Sequence, residues 1–316
     1  MLKFEDYCEK QENIPNDLLK LKILFKTWRD YIFDIYNNLV CENRTKNTII
    51  NNGLVNPIIG CLIYEIITTL DGLYVLASKN SFESIPVLTR KFLEITTQII
   101  FILKDDSYTK ALVYELKDIS LYPQKDVNSH LVSLKKILNN DNKIDVYYNE
   151  IIDLTNKNKY YDWYRIYNSK ITSFQKLYEI IDTNIQSPSP KELWQKMYGH
   201  LSRRSHGFNA RKNMLKIHSS NVLNSFRFPS DISFYVSIIN FMAENLIKSI
   251  NNYYNVLNKA KMEFIFEKQS KICKQIITAE TSFNEKINRQ LTSKKRDEKR
   301  AKRKCEKHKL KKKNKV

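Results

Sequence analysis

Two segments of this 316-residue chain carry side chains able to do chemistry together. In the first, Arg90 and Glu94 stand four residues apart among Leu88, Phe92, Leu93, Ile95, Ile99 and Ile100. On a helix that spacing places both on one face, one turn apart. With apolar neighbours over more than half the circumference the pair is expected to be partly buried, where charges persist only if paired and hydrogen-bonded. It reads either as a helix-stabilising ion pair or as half of a polar cluster in a cleft. In the second segment, Trp194, Tyr198, Ser202 and His206 recur at steps of four and form a slowly drifting stripe along one helix, flanked by Arg203 and Arg204. An imidazole in that position can act as general acid or base, and the arginines can grip phosphate. The competing reading has Ser202 and His206 satisfying the polar end of their helix.

Other chemistries lack their residues. There is no G-x-x-x-x-G-K-[ST] or G-x-G-x-x-G loop, and five glycines leave little room for phosphate-cradling turns. Neither an H-E-x-x-H zinc motif nor a G-x-S-x-G nucleophile elbow occurs. The five cysteines (Cys8, Cys41, Cys61, Cys273 and Cys305) are scattered and form no C-x-x-C pair. That pattern argues against a zinc site or a disulfide framework and suits a reducing compartment. The expectation is therefore no metal, no cofactor and a cytoplasmic protein.

The elements that must position these residues read as helices. Gly (5) and Pro (7) are too scarce for the tight turns of an antiparallel β fold. Amphipathic periodicity predicts helices over 18–40, 56–77, 84–103, 107–121, 127–138, 145–155 and 171–183, with 156–170 as a connector. Leu54 to Leu76 is the most apolar stretch, but Glu65 and Asp71 interrupt it, so it reads as a buried helix and not a membrane span. Ser189-Pro190-Lys191-Glu192 is a capping-box start for a helix ending near Gly207. A polar loop is expected over 209–230. A strong helix follows over 231–257 and is expected to continue, increasingly polar, toward Leu291.

The net charge of +19 is concentrated at one end. Residues 294–316 hold fourteen Lys or Arg against three Asp or Glu, a net of +11. Such a block stays solvated unless it meets a polyanion. Lys294, Lys295, Arg296, Arg300, Arg303, Lys311, Lys312 and Lys313 are the expected nucleic-acid contacts, without sequence preference. The overall expectation is an all-α multi-helix bundle with a long C-terminal helix and a basic tail. Its parts are an N-terminal helical segment (1–50), the bundle core (51–260), a C-terminal helix extension (261–293) and a disordered tail (294–316).

Arg90 and Glu94, taken with Tyr198, Ser202 and His206, resemble the signature of the bacterial helical domain-of-unknown-function family numbered 5677. That family carries an Arg-x-x-x-Glu helix ending in an apolar run and a later Tyr-x-x-x-Ser-x-x-x-His helix. The resemblance covers about 55–260 and implies a helical bundle that brings both segments to one polar centre. A looser similarity, to HEPN domains, rests on an Arg followed at short spacing by His, as at Arg211 and His218 and at Arg303 and His308. These are helical domains, often ribonucleases of toxin and phage-defence systems. Two functions from different classes follow. One is a defence- or toxin-type protein acting on RNA or nucleotides, with Arg90, Glu94, Tyr198, Ser202, Arg203 and His206 as its centre. The other is a non-catalytic helical interaction module tethered to nucleic acid or ribosome by its tail. A homodimer is compatible with either.

Overall fold

The computed structural model describes residues 20–45, 54–79, 84–157, 161–181, 198–199, 232–282, 285 and 289. Every regular element among the described residues is a helix and none is a strand, as the shortage of turn residues predicts. Helix α1 (Lys20–Thr45) buries Leu21, Leu24, Phe25, Trp28, Ile32, Ile35 and Leu39. Those three- and four-residue steps make one apolar stripe, which lies against α2 (Val55–Ser78). The two acids that interrupt the apolar run of α2 are used sideways. Glu65 pairs with Lys91 of the next helix at 2.7 Å, and Asp71 pairs with Arg29 of α1. By length and composition α2 is apolar enough to cross a membrane, and 44% of its most apolar window is buried in the bundle.

Helix α3 (Ile85–Lys104) is the central element. From Ile95 to Leu103 every residue but Gln98 is buried, and a helix that is apolar all round must be covered all round. The cover comes from α2 and from helices later in the chain. Pro86 occupies the first turn, where its missing N–H costs nothing, while Ser84 makes no capping hydrogen bond. Gly72 of α2 lets the two helices approach, since a Cβ there would lie 2.9 Å from Leu88 Cδ1.

Helices α4 (Ser107–Ile119), α5 (Gln124–Ile137) and α6 (Lys143–Asn156) form a flank held to α2 and α3 through α4. The 156–170 stretch is more than the connector its composition suggests. It contains a one-turn helix, α7 (Trp163–Tyr167), with Trp163, Tyr164 and Ile166 buried. Aromatic packing holds it: the Trp163 ring lies 5.8 Å from Phe101 and 5.3 Å from Tyr114, and its indole N–H donates to Gln98 at 3.3 Å. Five residues are too few to display a helical period. Helix α8 (Phe174–Ile181) then packs on α3.

Helix α9 (Ile232–Tyr254) covers another side of α3. Its expected continuation toward Leu291 is interrupted. Asn255 takes a left-handed φ of 54°, a conformation asparagine tolerates and one that ends helices. Asn251 Oδ1 accepts from the Leu257 amide at 2.6 Å, and Asn258 Oδ1 accepts from the Lys261 amide at 2.8 Å. The second bond is an N-cap, and it opens α10 (259–282). The two helices run antiparallel. Near the end of α10, buried Glu280 accepts from the first amides of α9, Ile232 (2.8 Å) and Ser233. A carboxylate from a neighbouring helix thus caps α9 at its positive end. The capping box at Ser189–Glu192, the 209–230 loop and the 294–316 tail lie outside the described residues.

Candidate functional site

Helix α3 sets Arg90 and Glu94 one turn apart, and Arg90 Nε donates to Glu94 Oε1 at 2.9 Å. Tyr198, helical and 104 residues further on, closes the cluster. Its hydroxyl accepts from Arg90 Nη2 and donates to Glu94 Oε1 at 3.0 Å. The guanidinium also lies over the Tyr198 ring, 4.7 Å from the centroid, and that ring stacks with the Phe174 ring of α8 at 6.0 Å between centroids. Two segments distant in sequence therefore meet at one polar centre.

The electrostatics follow from that geometry. Partial burial disfavours the Arg90 charge, but the Glu94 carboxylate and then the Tyr198 oxygen outweigh it and raise its pKa. Burial, followed by the Glu94 charge, raises the pKa of the Tyr198 phenol. Tyr198 is thus a neutral phenol that bridges a cation and an anion. It is not a base at neutral pH, and the hydroxyl proton is committed to Glu94. Side-chain exposures of 24% for Arg90 and 31% for Glu94 leave the ion pair open to solvent on one side.

Of the residues expected at this centre, the structure brings Arg90, Glu94 and Tyr198 together. Ser202, Arg203 and His206 lie outside the described residues, as do both HEPN-type pairs and the eight expected nucleic-acid contacts of the tail. Among the described residues, no three His, Cys, Asp or Glu side chains are placed to hold a metal.

A family model described as a family of unknown function (DUF5677) matches residues 56–221. The chain belongs to that family. The DUF5677 match includes α2 to α8 and the Tyr198 segment, and it ends before α9, short of the expected 260. Helices α1, α9 and α10 lie outside it yet complete the same core. Tyr254 at the end of α9, for instance, donates to Asn56 at the start of α2 at 2.9 Å. No curated protein and no solved structure matches the chain.

A second polar centre lies within the DUF5677 region and was missed by sequence reasoning. Lys110 of α4 is 3% exposed. Its ammonium donates to the Phe101 carbonyl at 2.9 Å and sits 4.3 Å from the Phe101 ring centroid and 5.6 Å from that of Tyr167. The carbonyl belongs to the last turn of α3, where a cation complements the helix dipole. Burial pushes the amine down to about 8, with Asp105 and Asp106 opposing the shift and Lys104 adding to it. In a lysine-rich chain nothing distinguishes Lys110 by type or spacing. The one signal is the aromatic density of the elements that cover it.

Proposed function

We propose that the protein is a nucleic-acid-directed helical module. In this reading the Arg90–Glu94–Tyr198 cluster locks the Tyr198 segment onto α3, and the basic tail supplies the polyanion contact. The Tyr198 hydroxyl carries the reading of the cluster. It accepts from Arg90 and donates to Glu94, so a cation, an anion and a neutral phenol satisfy one another. Such a circuit serves as a clamp between segments and holds no free nucleophile. The net +11 of residues 294–316 carries the reading of the tail. Titrating generic RNA and DNA across a salt series tests it. Ending the chain at Ser293 should weaken binding strongly at low salt and flatten the slope of log affinity against log salt. Equal affinity and slope with and without the tail would sink the proposal.

A second reading, a defence- or toxin-type enzyme acting on RNA or nucleotides, draws on the partial opening of the ion pair to solvent. Ser202, Arg203 and His206 follow Tyr198 by four, five and eight residues. A base near a 2′-hydroxyl with cations on the phosphate is what metal-independent RNA cleavage needs. Cleavage by the intact protein that is lost in His206→Ala decides for the enzyme. RNA that stays whole beside a protein that binds it decides for the module. Both readings place the protein in the cytoplasm, as a monomer or a homodimer, which light scattering distinguishes.

A further inference from the structure

The outward face of α10 differs in chemistry from the tail that follows it in sequence. Lys261, Phe264, Lys268, Lys271, Gln275 and Thr278 succeed one another at steps of three and four, and all are exposed. At helical geometry they fall within an arc of about 100° and extend for about 25 Å. None is acidic. The opposite face, with Ile265, Gln269, Cys273 and Ile276, is buried in the bundle.

Two observations mark this stripe out. Among the described residues no ion pair joins its lysines to an acid, although exposed Glu267 stands four residues before Lys271 at the stripe's edge; the ion pair within α10 joins Lys259 to Glu263, off the stripe. Lys268 instead lies over the Tyr31 ring of α1, 6.0 Å from the centroid. Near the start of the stripe, flanked by Lys261 and Lys268, stands Phe264, 63% exposed. Among the described Phe, Tyr and Trp side chains it is the most exposed, ahead of Tyr64 at 56%.

We infer that this face of α10 binds single-stranded nucleic acid, with an unpaired base stacked on Phe264 and its flanking phosphates on Lys261, Lys268 and Lys271. Aromatic platforms among cations are the usual means of holding single strands, because every base has a π-face. A duplex hides those faces and offers only its phosphates. A membrane surface fits less well. A helix lying in an interface needs an apolar side, and the apolar side of α10 is already packed in the bundle. The inference rests on the nucleic-acid reading but adds a base-stacking part that the tail, with no Phe, Tyr or Trp, cannot supply.

The test uses the full chain with three probes: a labelled oligouridine, a DNA duplex of equal length, and phosphatidylcholine vesicles containing phosphatidylserine. Phe264→Ala should weaken oligouridine binding about five- to a hundredfold and leave the duplex nearly unchanged, while Phe264→Trp retains affinity. Replacing Lys261, Lys268 and Lys271 together with Gln should flatten the oligouridine salt slope by about 2, and replacing them with Arg should restore it. All these positions are on the surface, and circular dichroism confirms that each variant folds. If the Ala and Gln variants bind oligouridine as the parent does while truncation at Ser293 abolishes binding, the α10 surface is wrong and the tail reading survives. If the intact chain binds neither nucleic acid, both fall. Variants that lose vesicles and keep oligouridine make α10 a membrane contact and overturn the inference.

Discussion

Arg90 on α3 and Lys110 packed against that helix are two cations that the bundle treats in opposite ways. Arg90 lies toward the N-terminal half, half-buried, with a carboxylate and a phenol in hydrogen-bond contact. Its charge is reinforced. Lys110 packs on the C-terminal turn, almost fully buried, and the contacts of its ammonium are a carbonyl and two ring faces. Its charge is resisted, and the amine is pushed down to about 8. The lesson is that a site-like residue pattern and an energetically stressed charge need not coincide. Of the two, the pair visible in the sequence is the better compensated, so stability should be more sensitive at Lys110 than at Arg90.

The sharpest way to break that comparison is Lys110→Glu. A carboxylate would face the negative end of α3 and two aromatic faces, with Asp105 and Asp106 nearby. An uncompensated buried charge of the wrong sign should cost about 4 kcal/mol or more, read as a collapsed urea midpoint or failure to fold. A loss below about 1 kcal/mol would show that Lys110 reaches water. Lys110→Met then sharpens the point through pH. The folded amine has a lower pKa than the unfolded one, about 8 against 10.5. Between those values the unfolded state binds more protons, so wild-type stability rises with pH across that window. Measured against Lys110→Met, which cancels the other titrations, the gain from pH 8 to 10.5 should approach about 3 kcal/mol. A difference that stays flat across the window would contradict the burial of a charged amine.

Glu280 tests whether burial or compensation is the controlling variable. It is as buried as Lys110, at 3% exposed, but it accepts from two backbone amides at the start of α9. Compensation should dominate, so Glu280→Gln, which keeps one good acceptor, should cost about 1–2 kcal/mol, well below Lys110→Glu. Denaturant unfolding gives the number, and a loss larger than that of Lys110→Glu would reverse the argument.

Much of this was legible in the sequence, for physical reasons that differ by element. Helices α1, α2 and α3 declare themselves because long apolar stripes at three- and four-residue steps have one structural solution. The Arg90–Glu94 contact follows from helical spacing alone, and its meeting with Tyr198 follows from the need of half-buried polar groups for partners. The stop at Asn255 was hidden because asparagine is common throughout the chain, and only a left-handed backbone distinguishes this one. Helix α7 was hidden because Trp163 is held by tertiary aromatic contacts and not by periodicity. Lys110 was hidden because its neighbours Phe101 and Tyr167 are 9 and 57 positions away in sequence, and only the fold brings them to it.

The smallest expected effects belong to the Arg90 cluster, and they decide whether it is a clamp. Tyr198→Phe removes one hydroxyl but keeps the ring under the guanidinium and beside Phe174. Glu94→Gln removes the charge but keeps an acceptor. Each should cost about 1 kcal/mol, because the partners are open enough to water to find substitutes. Their combination is more informative than either. If the hydroxyl acts by bridging Arg90 and Glu94, either change already weakens the Tyr198–Glu94 bond, so the second costs less than it would alone, while the direct Arg90–Glu94 contact is weakened only by the change at Glu94. The double variant should then lose about 0.5–1 kcal/mol less than the two single losses together. Losses that simply add would mean that Tyr198 and Glu94 serve Arg90 independently. The clamp reading would lose its bridging proton, and the second reading, in which Glu94 and Arg90 face a substrate, would gain.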